Sequence, residues 1–250
     1  MAWGKVRFFY KHSLTGLTAT SEAAGFLVAN VLDMLEGTLW KATSSSDQYI
    51  AFDAGSGNTY TADYIAIAGH NLKTRAATLT LQYSTNGADW SNAFTGFAVV
   101  DDKALVKEFT TQTVRYWRVK LSSMSGIPYI AICIWGQAIE LDYASSSFDP
   151  HAEDNKANVN LSETGYVLGI HNRYSERQID LIFNDADDTL YQKCKTWWDT
   201  SGLKNFFVSW EPTSHATEVY LMRPDSSFKN PLQIGGLYRN ITINLKGRKE

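Results

Sequence analysis

The side chains best placed to bind a ligand are aromatic and hydroxyl-bearing groups in turn-prone stretches. Trp40 is followed by the polar run Ser44-Ser45-Ser46-Asp47, and two further loop-like stretches carry Arg75 and Trp90. An indole face stacks on the C–H groups of a sugar ring while nearby polar side chains fix its orientation, so saccharide binding is the chemistry these residues offer. The competing and favoured reading of Trp40 is a ring that closes a β core above an ordinary loop. Geometry separates the two: convergence of Trp40, Arg75 and Trp90 at one rim supports a saccharide site, and burial removes it.

Other reactive residues have plainer explanations. His70, in Gly69-His70-Asn71, is linked by no motif to a nucleophile or a carboxylate and reads as a turn residue. His151, Glu153 and Asp154 lie in a polar stretch without the fixed scaffold that a metal needs. Asp185, Asp187 and Asp188 sit at a helix start, where carboxylates complement the dipole. The Gly-x-Ser-x-Gly, P-loop, dinucleotide and zincin patterns do not occur, so no catalytic residue, metal or cofactor is assigned and the expectation is a non-enzymatic protein. Arg173, Arg177, Arg223 and Arg239, with Tyr166, Tyr174, Tyr220 and Tyr238, are either surface decoration or the forks and aromatic anchors of an interface between copies.

The elements that must carry these residues are mostly strands. With 44% hydrophobic, 20% charged and 13% aromatic residues, the chain of 250 residues has globular composition with a bias towards sheet. A net charge of −3 provides no positive field for nucleic acid. No stretch approaches the roughly 18 apolar residues of a membrane span, and the start lacks a secretory pattern, so synthesis and residence in the cytoplasm are expected. The two cysteines, Cys133 and Cys194, read as small buried apolar residues.

Strand-length runs at Gln48–Asp53, Tyr64–Ala68, Thr78–Ser84, Phe94–Val100, Tyr116–Leu121 and Tyr129–Leu141 are separated by Gly, Asn and Ser turns, the spacing of a sandwich or jelly roll. In Thr78–Ser84 the alternation places Leu79, Leu81 and Tyr83 on a core face. Residues 144–156 read as a polar linker. Beyond it, Tyr166–Tyr174, Arg177–Phe183, Asn205–Trp210, Glu218–Met222 and Tyr238–Leu245 read as strands. Leu190, Cys194, Trp197 and Trp198 share one face of a helix over about 187–201, capped by Asp185 or Asp187 and stopped by Gly202.

Six pieces in order carry a family resemblance. They are Trp40-Lys41-Ala42, Asp47-Gln48-Tyr49-Ile50-Ala51-Phe52-Asp53-Ala54-Gly55, Tyr64–Leu72, Tyr83-Ser84-Thr85-Asn86-Gly87-Ala88-Asp89-Trp90, Arg115-Tyr116-Trp117-Arg118-Val119 and Ile130–Leu141. This series, covering about Asn30–Leu141, resembles the discoidin or galactose-binding-like jelly roll. The resemblance implies that the loops bearing Trp40, Arg75 and Trp90 are possible carbohydrate-binding loops. The second half more loosely resembles the ring-forming domain of distal tail proteins from long-tailed bacteriophages.

Together these give a mostly β chain: residues 1–143 a galactose-binding-like jelly roll with an N-terminal arm, 144–156 a linker, and 157–250 a small β-barrel or sandwich with one amphipathic helix. The function implied by the two resemblances is structural. The protein would form a homohexameric ring in the virion, continuing the tail tube and supporting receptor-binding components, with the tail tube, baseplate hub proteins and a host surface glycan as partners. The expected ring interface comprises Tyr166, Arg173, Arg177, Tyr220 and Arg239. The alternative is a lectin-like carbohydrate-binding module with no assembly role.

Overall fold

Alternating apolar and polar runs broken by tight turns leave the backbone little choice but antiparallel sheet. A computed structural model describes residues 3–144 and 149–250 of the chain. They form two units: Phe8–Ile139, and the residues up to Arg7 together with Glu140–Glu250.

The first unit is a jelly-roll sandwich. Its main strands are β1 (Gln48–Asp53), β2 (Tyr60–His70), β3 (Thr78–Ser84), β4 (Leu105–Val114), β5 (Tyr116–Ser122) and β6 (Tyr129–Gly136). One sheet runs Thr18–Ala19, β1, β5, β3, Ser91–Asn92, with Phe97–Ala98 also on β3; the other runs Trp40–Lys41, β6, β2, β4. Strand β5 shows the period of two clearly: Trp117, Val119 and Leu121 are buried, while Tyr116, Arg118 and Lys120 are half-buried on the outer face. Trp40, Trp117, Trp135, Ile65, Leu79 and Leu81 belong to the core between the sheets. Gly136 is required there, because a Cβ at this position would stand 2.1 Å from the Lys11 carbonyl oxygen.

Two strand expectations change. Leu105–Val114 is a strand that the sequence hides, since most of its residues are exposed or half-buried and carry no apolar alternation. Within the expected strand Phe94–Val100, only Phe97–Ala98 pairs. The Phe94 and Phe97 rings lie 5.8 Å apart; residues three apart point to opposite faces of a straight strand, so the segment bends.

The second unit carries β7 (Glu153–Leu161), β8 (Val167–Ala186), α1 (Asp188–Ser201), β9 (Phe206–Ser209), β10 (Val219–Pro224) and β11 (Tyr238–Arg248). Their order in the sheet is β9, β10, β11, β8, β7. Asp187 caps the helix by accepting from the Leu190 N–H at 2.8 Å, and Gly202 ends it at φ +53°. Asp185 is not the cap. Leu190, Cys194 and Trp197 are buried, with the Trp197 ring 5.0 Å from that of Phe206, while Trp198 is half-buried against Phe228. The two strands expected at Tyr166–Tyr174 and Arg177–Phe183 are one, because Ser175 and Glu176 keep the ladder going opposite Asn155 and Asp154.

The boundaries also differ from the sequence reading. Of the expected linker, 145–148 lie outside the described residues, and Glu153–Lys156 already belong to β7. The N-terminal segment joins the second unit: the Leu141 N–H donates to the Val6 carbonyl at 2.9 Å, and the Gly4 N–H donates to Glu211 Oε1 at 2.5 Å. Trp3 stacks on His215 and packs against Trp210.

Candidate functional site

The outer face of the β1–β5–β3 sheet gathers aromatic, amide and cationic side chains into one strip. Register sets it: Arg118 of β5 stands opposite Ala51 of β1 and Gln82 of β3, and Lys120 stands opposite Tyr49. The turn after β3 delivers Trp90. Ser84 Oγ accepts from the N–H groups of Asn86 and Gly87, Asn86 Oδ1 accepts from those of Ala88 and Asp89, and Gly87 takes φ +75°. The following residues pair back, with Asn92 opposite Gln82.

The Arg118 guanidinium lies between two rings. Its Cζ is 4.0 Å from the Trp90 centroid and 4.5 Å from the Tyr49 centroid. Its Nε donates to Gln82 Oε1 at 2.7 Å, and Gln82 Nε2 donates to Asn92 Oδ1 at 2.8 Å. Burial lowers the Arg118 pKa from its ordinary value. The neighbouring cations are neutralised within the chain. Arg115 grips Asp53 through Nε and Nη2 at 2.6 and 2.8 Å, and this hydrogen bonding brings the Asp53 pKa down to about 2. Lys120 Nζ lies 3.3 Å from Asp47. Among the described residues no carboxylate pairs with Arg118, a charged group held in place by cation–π contact and one neutral acceptor.

Of the three expected sugar-binding residues, the structure brings only Trp90 to this strip. Trp40 is fully buried and donates its Nε1–H to the Ser21 carbonyl at 2.9 Å, so its ring offers no face to a ligand. Arg75 precedes β3 and packs near Gly126, whereas Trp90 follows β3. Sequence alone does not mark Tyr49, Gln82 and Arg118 as binding residues. Alternation alone would have placed Arg118 outward beside buried Trp117 and Val119.

His70 is buried at the end of β2, with Nε2 2.9 Å from the Lys103 carbonyl and Nδ1 3.3 Å from the Leu72 nitrogen. Burial lowers its pKa despite the nearby Asp102 carboxylate. It organises a loop.

The second unit holds a polar cluster that the sequence did not announce. Glu218 accepts from Trp210 Nε1 at 3.0 Å and the Tyr220 hydroxyl at 3.2 Å, and lies 2.9 Å from His151 Nε2 and 3.0 Å from His215 Nδ1. Burial opposes ionisation, but the hydrogen bonds from His215, His151 and Trp210 outweigh it and bring the Glu218 pKa down to about 2. Among the described residues no group of three or more His, Cys, Asp or Glu side chains could hold a metal ion.

The expected interface residues divide. Arg177 lies over the Tyr220 ring at 4.0 Å, and Arg239 lies over Tyr191 at 3.9 Å while donating to Asn230, so these three are engaged within their own chain. Tyr166 and Arg173 are exposed. They belong to the hairpin region of β7 and β8, where Val159 stands opposite Ile170 and Leu168 lies two residues along; Tyr166, Leu168 and Ile170 are 74%, 71% and 68% exposed.

Residues 16–135 match the F5/8 type C domain family, which sets a discoidin-like, galactose-binding-like domain within the first unit. Similar solved structures include a pectin-binding carbohydrate-binding module, 18% identical over 51% of this chain and 93% of that one, with a TM-score of 0.43. The CBM32 of AlyQ in complex with 4,5-unsaturated mannuronic acid is 22% identical over 50% of this chain and 95% of that one, with a TM-score of 0.43. Chitosan-binding module 1 of a chitosanase/glucanase from Paenibacillus sp. IK-5 is 20% identical over 49% and 94%, with a TM-score of 0.42. No curated protein matches the sequence. No helix among the described residues is long and apolar enough to cross a membrane.

Proposed function

We propose that the first unit is a saccharide-binding module and that its binding surface is the Tyr49–Arg118–Trp90 face. The observation that supports this reading is the strip itself: half-buried rings, a fixed guanidinium and the Gln82–Asn92 amide pair, on a rigid sheet of a galactose-binding-like domain. Rings supply stacking area at low entropic cost, and the amides and guanidinium supply directional hydrogen bonds. A glycan array followed by calorimetry on wild type and Trp90→Ala tests it. Binding that Trp90→Ala weakens supports the reading; binding that the variant leaves unchanged moves the site elsewhere; no binding to any saccharide overturns the function.

A second reading is favoured by one specific observation, the apolar hairpin of β7 and β8. A two-stranded ribbon is marginal in water by itself, and an exposed apolar stripe beside an edge strand is a template for pairing with another chain. On this reading the second unit joins copies of itself into a ring at a bacteriophage tail tip. The tail tube and baseplate hub proteins would be its partners, and the protein would be assembled in the host cytoplasm and carried in the virion. The oligomeric mass of wild type and of the double variant Leu168→Lys, Ile170→Lys tests it: a wild-type oligomer that the variant dissolves supports the ring, and a wild-type monomer that is absent from particles refutes it. The two readings concern different units and are compatible.

A further inference from the structure

We infer that the ligand of the Tyr49–Arg118–Trp90 face is an acidic saccharide, whose uronate carboxylate is received by the Arg118 fork. The inference rests on the saccharide-binding reading of this face and adds the ligand's charge.

Three cationic side chains lie along this face, and the chain treats them differently. Arg115 is gripped by Asp53 and Lys120 is paired with Asp47. Arg118, between them, donates only its Nε–H, to a neutral amide oxygen. Its terminal nitrogens donate no hydrogen bond among the described residues, so up to four N–H groups remain for an outside acceptor. The rings of Trp90 and Tyr49 at 4.0 and 4.5 Å hold the guanidinium, which removes the entropy that a free Arg would lose on binding.

A permanently charged fork, half-buried and without an anion of its own, is complementary to a planar two-oxygen acceptor. A carboxylate on a sugar ring meets that requirement while the ring lies beside Trp90. A neutral sugar would leave the charge uncompensated. A sulfate ester offers the same charge with tetrahedral rather than planar oxygens, and is the alternative source of anionic oxygen.

Calorimetry separates these possibilities. The probes are oligomers of galacturonate, mannuronate and glucuronate, each as free acid and as methyl ester, with a sulfated oligosaccharide as a further arm. On a backbone that binds, the free acid should bind wild type about tenfold or more tightly than its ester, the size expected of a charge-assisted pair. Arg118→Gln should level acid and ester, and Arg118→Lys should restore only part of the difference, because the charge returns without the fork. Equal wild-type affinity for acid and ester overturns the inference but leaves saccharide binding intact, and needs no variant to fold. Tenfold preference for the sulfated oligomer overturns the carboxylate assignment. Failure of every acid, ester and neutral saccharide to bind overturns the underlying reading as well.

Discussion

The Arg118 guanidinium carbon lies over the Trp90 indole, 4.0 Å from its centroid, although one residue belongs to the middle of a sheet and the other to the turn beside it. The contact gives Trp90 a role quite unlike that of Trp40, which is sealed in the core.

Substitution should separate the two tryptophans. Trp40→Ala empties a core position and should cost about 3–5 kcal/mol of stability. Trp90→Ala removes one partly exposed cation–π contact and should cost roughly 1 kcal/mol. Urea denaturation of both variants checks this; equal losses would mean that Trp90 is a structural residue.

Acid should weaken the second unit through Glu218. Its pKa falls from 4.5 to about 2 on folding, so its contribution is complete above pH 4.5 and fades as the pH drops towards 2. Glu218→Gln should therefore be less stable than wild type at neutral pH, with the gap closing on acidification across that window. Denaturation midpoints measured from pH 6 down to 2 give the answer, and a gap independent of pH would contradict it.

The two thiols should be silent in the native protein. Burial pushes the Cys133 and Cys194 pKa values up to about 12 each, so neither forms a reactive thiolate at pH 8. Ellman's reagent should read none before denaturation and two afterwards. Because Cys133 lies in the jelly roll and Cys194 in the helix of the other unit, two exposure rates are expected in intermediate denaturant.

The helix cap gives a local test. Asp187→Ala should cost about 1 kcal/mol, while Asp185→Asn, away from the cap position and at a φ of +52° that Asn tolerates, should change stability by less than about half of that. Thermal melts followed by circular dichroism distinguish them; similar losses would move the cap.

What was legible in the sequence is what local periodicity controls. Leu79 and Leu81 face the core as their alternation requires, and Leu190, Cys194 and Trp197 line the buried helix face. What was hidden depends on partners distant in sequence. Tyr49 and Arg118 meet through strand register, and β4, although its Leu105, Phe109 and Val114 pack on the core, shows no regular alternation and is placed by its pairing with β2. Glu218 is not legible in the sequence because His151, Trp210 and His215 reach it from separate segments.

Residues up to Arg7 and those from Glu140 onward share a unit, and Arg7 Nη2 meets Glu140 Oε2 at 2.9 Å. The jelly roll is thus a single excursion, tethered by two peptide crossings instead of one. A protease that nicks either crossing leaves the roll attached through the other, and a graft needs only that one neighbouring pair of junctions to exchange one roll for another.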